Sequence, residues 1–286
     1  MTQQNLLPVE RISRTEFDAR GVQGVIAGDR PLLIDWIDPR PEHEIVAQIE
    51  LGLADIPVAL FCKSADPASR ERSRVVKIPL PEFFAEAKYR HSEDGLVHRV
   101  VANICNLPSL IEGLLGEPAE PVFDHRWPGN SVNLWINYQG QFGRVHFDEL
   151  ENFNLQLVGR KRFVLSPPGT RNYYVRSLLK GFGHHSDFPD LLAVDPARYP
   201  RFASNPPPLT EALLNPGQML YIPIGWWHQV DPLSPLNINM NFWLRHPKLW
   251  RRPYVLVDAI YKAAFRKLSG RYDYEPEKPS GMRGAA

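Results

Sequence analysis

The chain contains very little cysteine: Cys62 and Cys105 are the only two in 286 residues. They lie far apart and outside any metal-ligand spacing, so the sequence argues against a disulfide framework and favours a reducing compartment. A metal site in this chain would therefore need histidine and carboxylate ligands.

An excess of either charge is also missing. The 33 Lys and Arg residues are balanced by 32 Asp and Glu, which leaves a formal net charge of +1. No global electric field would attract a polyanion, so we expect neither nucleic acid nor a membrane surface as a partner. No apolar run approaches the roughly 20 residues of a membrane span, and the first residues lack the basic and apolar regions of a secretion signal. We therefore expect a soluble, cytoplasmic protein.

Proline, by contrast, is abundant, with 28 residues that cluster in short loops. These loops and the hydrophobic pattern predict three parts. Residues 1–125 form an N-terminal α/β support region that packs on a barrel, residues 126–245 form the barrel with an insertion at 166–216, and residues 246–286 form a C-terminal helix and a poorly ordered tail.

Hydrophobic spacing assigns elements to these parts. Helices are predicted at 41–53, 81–88, 107–115 and 249–268. Strands are predicted at 30–37, 58–62, 132–138, 152–157, 161–165, 218–222 and 237–243. Short strands separated by Gly or Pro turns are typical of a sandwich or barrel, so the fold class is mainly β.

Two strands carry rows of amide side chains. Successive side chains of a strand point to opposite faces, so Asn152, Asn154 and Gln156 share one face. Asn237, Asn239 and Asn241 repeat this arrangement. Such a face is commonly solvated. Alternatively, it lines a polar barrel interior, with the apolar outer face covered by helices from the flanking regions.

Three residues have the chemistry of a mononuclear metal site. His146 and Asp148 are two apart in an extended segment and project from the same face, and His228 follows the strand and turn in 217–228. Two imidazoles and one carboxylate can occupy one face of an octahedral ion and leave other positions open, as a non-haem Fe(II) oxygenase requires. His-x-Asp alone is common by chance, and His228 could instead be a hydrogen-bonding residue in a buried aromatic corner.

The segments 146–168 and 216–228 together with Asn241-Phe-Trp243 resemble, in matching order, the JmjC or cupin-8 family of Fe(II)/2-oxoglutarate oxygenases, within it the factor-inhibiting-HIF type of asparaginyl hydroxylase. The resemblance covers residues 131–245. It implies a double-stranded β-helix (a jelly roll, or cupin-like barrel) with flanking helices. It also implies Fe(II) as the metal, 2-oxoglutarate as co-substrate and O2 as oxidant, with His146, Asp148 and His228 as metal ligands.

The same resemblance assigns Lys161 to the distal carboxylate of 2-oxoglutarate, and Asn152 and Asn241 to the region around co-substrate and metal. An independent argument supports Lys161: it shares a strand face with Phe163, and a cation that points into a barrel is costly unless an anion meets it. The alternative is that Lys161, between Arg160 and Arg162, forms a solvated hairpin end.

One position departs from the family pattern. Gly143 stands where the asparaginyl hydroxylases have a Thr that contacts the co-substrate carboxylate. Candidates for the missing second partner are Asn137, Tyr138 and Tyr221. Candidates for substrate contact are Arg144, Asn154 and Trp227.

The resemblance predicts a dioxygenase that hydroxylates an unactivated C–H bond of a protein side chain or a small metabolite. Two alternatives stay open: a cupin-type isomerase or lyase that uses Zn or Mn at the same three residues, and a non-catalytic binding module. Lys161 favours the oxygenase over the isomerase. The sequence does not name the substrate, and the C-terminal helix could either form a homodimer or cap the barrel.

Overall fold

The fold is given by a computed structural model of the chain, in which residues 6–64, 73–90, 95–116, 131–169, 172–175, 184–245, 252–269 and 274–276 are described. The helices are α1 (Arg14–Gly28), α2 (Glu42–Gly52), α3 (Leu80–Ala85), α4 (Ala87–Arg90), α5 (Pro108–Leu115), α6 (Pro200–Ser204) and α7 (Pro253–Ser269). The strands are β1 (Leu7–Pro8), β2 (Glu10–Ile12), β3 (Leu32–Asp35), β4 (Val58–Ser64), β5 (Ser73–Ile78), β6 (Leu96–Asn103), β7 (Ser131–Tyr138), β8 (Gly143–Phe147), β9 (Glu151–Val158), β10 (Lys161–Ser166), β11 (Thr210–Leu214), β12 (Gln218–Ile222), β13 (Trp227–Pro232), β14 (Leu236–Leu244) and β15 (Tyr274–Pro276).

The strands form two sheets that face each other. The smaller sheet has the order β1-β11-β10-β13-β8, and the larger has the order β15-β5-β4-β6-β7-β14-β9-β12-β3-β2. The predicted jelly roll with flanking helices is confirmed. All the strands and helices predicted from hydrophobic spacing are present, although the predicted helix at 81–88 is divided into α3 and α4.

Strand β9 is buried on both faces, one apolar and one polar. Phe153 and Leu155 belong to the main apolar cluster, in which Phe17 of α1 and Ile45 and Ile49 of α2 also lie. The opposite face presents Asn152 and Asn154 to an interior cavity. Of the two readings of the amide rows, the polar interior under a helix-covered outer face is therefore correct for β9.

The N-terminal strands are part of the barrel sheet rather than a separate layer. Strand β6 pairs with β7, and β4 pairs with β6, so both extend the larger sheet on one side. Strands β2 and β3 extend it on the other side through β12. The role predicted for residues 1–125, a support that packs on the barrel, is therefore incomplete, because strand pairing builds this region into the barrel wall.

The predicted domain boundaries near 125 and 245 adjoin or fall within segments outside the described residues. The insertion 166–216 contains α6 and also β11, which is an integral strand of the smaller sheet. Part of the tail predicted to be poorly ordered, Tyr274–Pro276, forms β15 and pairs with β5. In the described part of the chain, none of the helices combines the length and apolar character needed to cross a membrane.

Candidate active site

A cavity of about 450 Å³ lies between the two sheets. Strands of both sheets supply most of its walls, and one residue of α7, Lys262, also lines it. The lining residues are Phe61, Lys63, Arg99, Trp135, Asn137, Gln141, Gly143, Arg144, His146, Phe147, Asp148, Glu149, Leu150, Asn152, Asn154, Lys161, Phe163, His184, His185, His228, Val230, Pro232, Asn239, Asn241, Trp243 and Lys262.

His146, Asp148 and His228 converge at one point of this cavity. Each offers one ligand atom, and these three atoms lie within 4.8 Å of one another. Nε2 of His146 is 3.9 Å from Oδ1 of Asp148, and Nε2 of His228 is 3.8 Å from Oδ2 of the same carboxylate. The arrangement is open on the cavity side, so a bound ion would keep positions for other ligands.

Strand pairing explains how residues so far apart in sequence meet. Strands β8 and β13 are antiparallel neighbours, and His146 pairs directly with His228 in their register. The turn that leads into β13 contains Gly225 at φ 78°, a conformation that favours glycine. Its backbone N–H donates to the carbonyl of Asp148 at 3.0 Å, which ties the His228 turn to the third ligand residue.

Both imidazoles are oriented by their second ring nitrogen. Nδ1 of His146 lies 2.6 Å from the carbonyl oxygen of Arg144, and Nδ1 of His228 lies 3.0 Å from that of Trp226. A carbonyl oxygen accepts only, so each Nδ1 carries the proton and each Nε2 presents a lone pair. Burial and the nearby His228 lower the pKa of His146 to about 3, which keeps its ring neutral and able to bind a metal.

A chain of hydrogen bonds crosses the cavity to the carboxylate ligand. Asn152 donates to Oδ2 of Asp148 at 2.8 Å, and Asn241 donates to Oδ1 of Asn152 at 2.9 Å. Asn239 donates to Asn241, and the ammonium of Lys161 donates to Asn239. Every donor in this chain points towards Asp148, so the amides hold that carboxylate in a fixed orientation.

Lys161 lies inside the cavity and is only 5% exposed. Burial and the positive charge of Arg99 lower the pKa of Lys161 to about 7. Its neighbours Arg160 and Arg162 do not share this environment: Arg162 pairs with Glu211 at 2.5 Å and does not line the cavity. The solvated hairpin end considered for Lys161 is therefore wrong.

A second group of charges lies beside the cavity where α7 meets the barrel. Lys262 is 2.9 Å from Glu149 and 3.4 Å from Asp258, and His184 is 3.6 Å from Asp258. Burial raises the pKa of Asp258 to about 7. In this structure α7 packs on the barrel, and its exposed side carries Val257, Ile260 and Tyr261.

The structure separates the remaining candidates into two groups. Asn137, Arg144, Asn154 and Asn241 line the cavity. Tyr138, Tyr221 and Trp227 do not, and are withdrawn as candidates. Each of these three aromatic side chains points away from the cavity.

Tyr138 stacks on Phe83 at 5.2 Å, and Tyr221 stacks on Phe153 at 4.7 Å. The Tyr221 hydroxyl donates to Glu151 at 2.8 Å. Trp227 is next to His228 in the same strand, so alternation turns it outward, where it stacks on Tyr173 at 4.4 Å.

Several lining residues were not expected from the sequence. Phe61, Lys63 and Arg99 come from β4 and β6, in the N-terminal region from which no site residue was predicted. Lys262, on the C-terminal helix, was not among the predicted site residues, and the structure buries it beside the cavity. Arg99 gave no local signal, because β6 alternates between buried and half-buried positions and a charge at a half-buried position is ordinary.

Comparison with known proteins places the chain in a family. Residues 42–248, well over half the chain, match the family model described as a cupin-like domain. The chain is 33% identical over 152 residues to the JmjC domain-containing protein C of Dictyostelium discoideum, a match that covers 48% of this chain and 36% of that protein. It is 34% identical over 116 residues to the lysine-specific demethylase 8 of Xenopus tropicalis, which covers 40% of this chain and 25% of that protein.

These matches span only about a quarter to a third of the relatives' own lengths. The X-ray structure of E. coli ycfD aligns with 96% of this chain and 63% of its own, at 18% identity and a TM-score of 0.47. The resemblance to the JmjC and cupin group is confirmed by the family match. The chain belongs to the cupin-like domain family.

Proposed function

We propose that the protein is an Fe(II)- and 2-oxoglutarate-dependent dioxygenase that hydroxylates an unactivated C–H bond. The observation that supports this most directly is the combination of two sites in one cavity. One is the open group of His146, Asp148 and His228, and the other is the buried ammonium of Lys161.

The donor set fits the metal. Two neutral imidazoles and one carboxylate, with open positions beside them, suit Fe(II) in an oxygenase. The two Nδ1 contacts to backbone carbonyls and the Asn152 bond to Asp148 hold these ligands in place before an ion binds. His146, Asp148 and His228 would hold the iron, and when bound the iron supplies the activation of O2 with 2-oxoglutarate as reductant.

The residues around Lys161 fit the co-substrate. A buried ammonium without a carboxylate partner is costly, and a bound distal carboxylate would remove that cost by a charge-assisted hydrogen bond. Asn152 and Asn241 lie between this ammonium and the metal ligands. They would orient the co-substrate along the cavity, while the apolar rings of Phe163 and Trp243 exclude water from its sides.

The alternative functions explain less of the cavity. A cupin-type isomerase or lyase with Zn or Mn would use the same three ligands but has no need for a buried cation at the other end. A non-catalytic module would not need the intact set of ligands with fixed imidazole tautomers. Lys161 and the metal group together therefore favour the oxygenase.

Anaerobic spectroscopy tests the proposal. Fe(II) added with 2-oxoglutarate to the full chain should give the weak visible charge-transfer band of the chelate, and admission of O2 should give succinate. Zn(II) with 2-oxoglutarate is the matched control and should give no band. If saturating Fe(II) and 2-oxoglutarate produce neither band nor succinate, the oxygenase assignment is wrong.

The substrate class remains the broad one predicted from the sequence, a protein side chain or a small metabolite. The name of one relative refers to lysine demethylation, but that relative is matched over only 25% of its length.

A homodimer through the exposed side of α7, a cytoplasmic location and the lack of a nucleic-acid partner are further parts of the proposal. Sedimentation of the full chain measures the first.

A further inference from the structure

Arg99 reaches the cavity from the N-terminal part of the chain. It lies in the middle of β6, paired with Phe61 of β4 on one side and Asn137 of β7 on the other. Its guanidinium carbon is 5.3 Å from the centre of the Trp135 ring and 5.8 Å from that of Phe61. The two rings hold the Arg99 guanidinium in place but offer no anion to its N–H donors.

Arg99 and Lys161 face the same end of the cavity. Trp135, whose ring contacts the Arg99 guanidinium, is the direct cross-strand partner of Asn239. Asn239 in turn accepts the hydrogen bond from the Lys161 ammonium. Arg99 is also among the causes that lower the pKa of Lys161, as expected for two positive charges that line one cavity.

Neither cation has a carboxylate partner among the residues that the structure describes. Burial is the sole cause that lowers the pKa of Arg99, and no acidic group raises it. For Lys161 the causes are burial and Arg99 itself, and again no acid opposes them. Two like charges directed at one enclosed space are unfavourable until an anion enters it.

We propose that Arg99 is the second partner of the distal carboxylate of 2-oxoglutarate, and that Arg99 and Lys161 hold this group between them. This inference depends on the proposed function, because it assigns a residue to its co-substrate. A planar guanidinium can donate two parallel N–H bonds to one carboxylate, whereas Lys161 acts as a point charge. Arg99 thus takes the role of second partner that Gly143, which has no side chain, does not supply.

Asn239 has a place in the same arrangement. Its oxygen accepts from Lys161 and its amide donates to Asn241, so it fixes the ammonium at the end of the amide chain. Lys161 is therefore positioned before the anion arrives. Arg99 is positioned independently by the two aromatic rings.

Calorimetry on the Mn(II)-loaded full chain tests the assignment with two ligands. The first is 2-oxoglutarate. The second is 2-oxobutanoate, which has the same 2-oxo acid head but no distal carboxylate. Arg99→Gln should raise the Kd for 2-oxoglutarate by about 10- to 100-fold, as expected for loss of a charge-assisted hydrogen bond, and should leave the Kd for 2-oxobutanoate unchanged.

Two further variants complete the experiment. Arg162→Gln is the matched control, because Arg162 pairs with Glu211 outside the cavity, and it should bind both ligands like the wild type. Arg99→Lys keeps the positive charge but cannot donate two parallel N–H bonds to one carboxylate. Its Kd for 2-oxoglutarate should therefore lie between those of the wild type and Arg99→Gln. This variant also provides the test if Arg99→Gln does not fold, as judged by thermal unfolding.

The results separate this inference from the proposed function. If the wild type binds 2-oxoglutarate and Lys161→Met weakens it, but folded Arg99→Gln binds as tightly as the wild type, the assignment of Arg99 is overturned and the oxygenase proposal stands. Equal weakening of both ligands also overturns it, because Arg99 would then act elsewhere in the site, for example on an anionic primary substrate. A wild type that does not bind 2-oxoglutarate overturns both.

Discussion

The ammonium of Lys161 donates a hydrogen bond to Asn239, and this contact joins the two sheets of the barrel across its interior. Lys161 belongs to β10 of the smaller sheet and Asn239 to β14 of the larger. From Asn239 the hydrogen bonds continue through Asn241 and Asn152 to Asp148. The two ends of the cavity, one suited to a metal and one to an anion, are therefore parts of a single polar network.

We expect Asp148→Ala to abolish tight metal binding. Asp148 is the one carboxylate of the metal group, and loss of a ligand should cost more than the roughly 10- to 100-fold typical for loss of a residue that orients one. Calorimetric titration with Mn(II) measures this. Asp18→Ala, which removes a surface partner of Arg14, is the control and should bind like the wild type. Unchanged affinity in Asp148→Ala would contradict the assigned ligand set.

Asn152→Ala should weaken metal binding without removing a ligand. The side chain donates to Oδ2 of Asp148, so its loss frees the carboxylate to rotate and should reduce affinity by about 10-fold. Asn154→Ala is the matched control: Asn154 is on the same face of β9 but makes no bond to Asp148. The same titration should show that Asn154→Ala retains wild-type affinity; a similar loss in both variants would argue against an orienting role for Asn152.

Binding of 2-oxoglutarate should take up a proton in mildly alkaline solution. The pKa of Lys161 is lowered to about 7. At about pH 8 the Lys161 amine is therefore neutral in roughly nine tenths of the free protein molecules. A bound carboxylate stabilises the ammonium and raises the pKa, which draws a proton from the buffer. Affinity should therefore fall as pH rises above about 7.

Calorimetry in two buffers of different ionisation enthalpy measures this uptake. Lys161→Met should reduce the uptake to near zero and also weaken binding, while Arg162→Met should leave both unchanged because Arg162 already pairs with Glu211. Equal heats in the two buffers for the wild type would show that Lys161 does not change its protonation on binding.

Phe153→Ala should destabilise the barrel strongly. The ring is fully buried, stacks on Tyr221 at 4.7 Å and meets Phe17 of α1 edge-on at 6.3 Å. Its truncation should lower the free energy of unfolding by about 3–5 kcal/mol. Urea unfolding measures the loss, and Leu51→Ala, at an exposed position of α2, should change it by less than about 0.5 kcal/mol. A small effect of Phe153→Ala would mean that α1 does not cover this face.

The wrong assignments have a common physical cause. Trp227 was a candidate for substrate contact and Tyr221 for the co-substrate carboxylate, but neither side chain lines the cavity. In a strand, neighbours along the sequence face opposite sides, so adjacency to a ligand turned Trp227 away from the cavity. Tyr221 likewise lies on the outer face of β12, where it packs against Phe153.

From local spacing and strand alternation, the sequence by itself predicted the mainly β fold and the shared face of His146 and Asp148. The resemblance to a known family was needed to add His228 and to assign Lys161 to the co-substrate. The sequence could not assign Arg99, because nothing local distinguishes a guanidinium that enters a cavity from one that faces solvent. Only the pairing of β6 with β7 decided that Arg99 lies over Trp135 and lines the same cavity as Lys161. The tertiary structure was needed here because the cost of burying a charge depends on which distant strands enclose it.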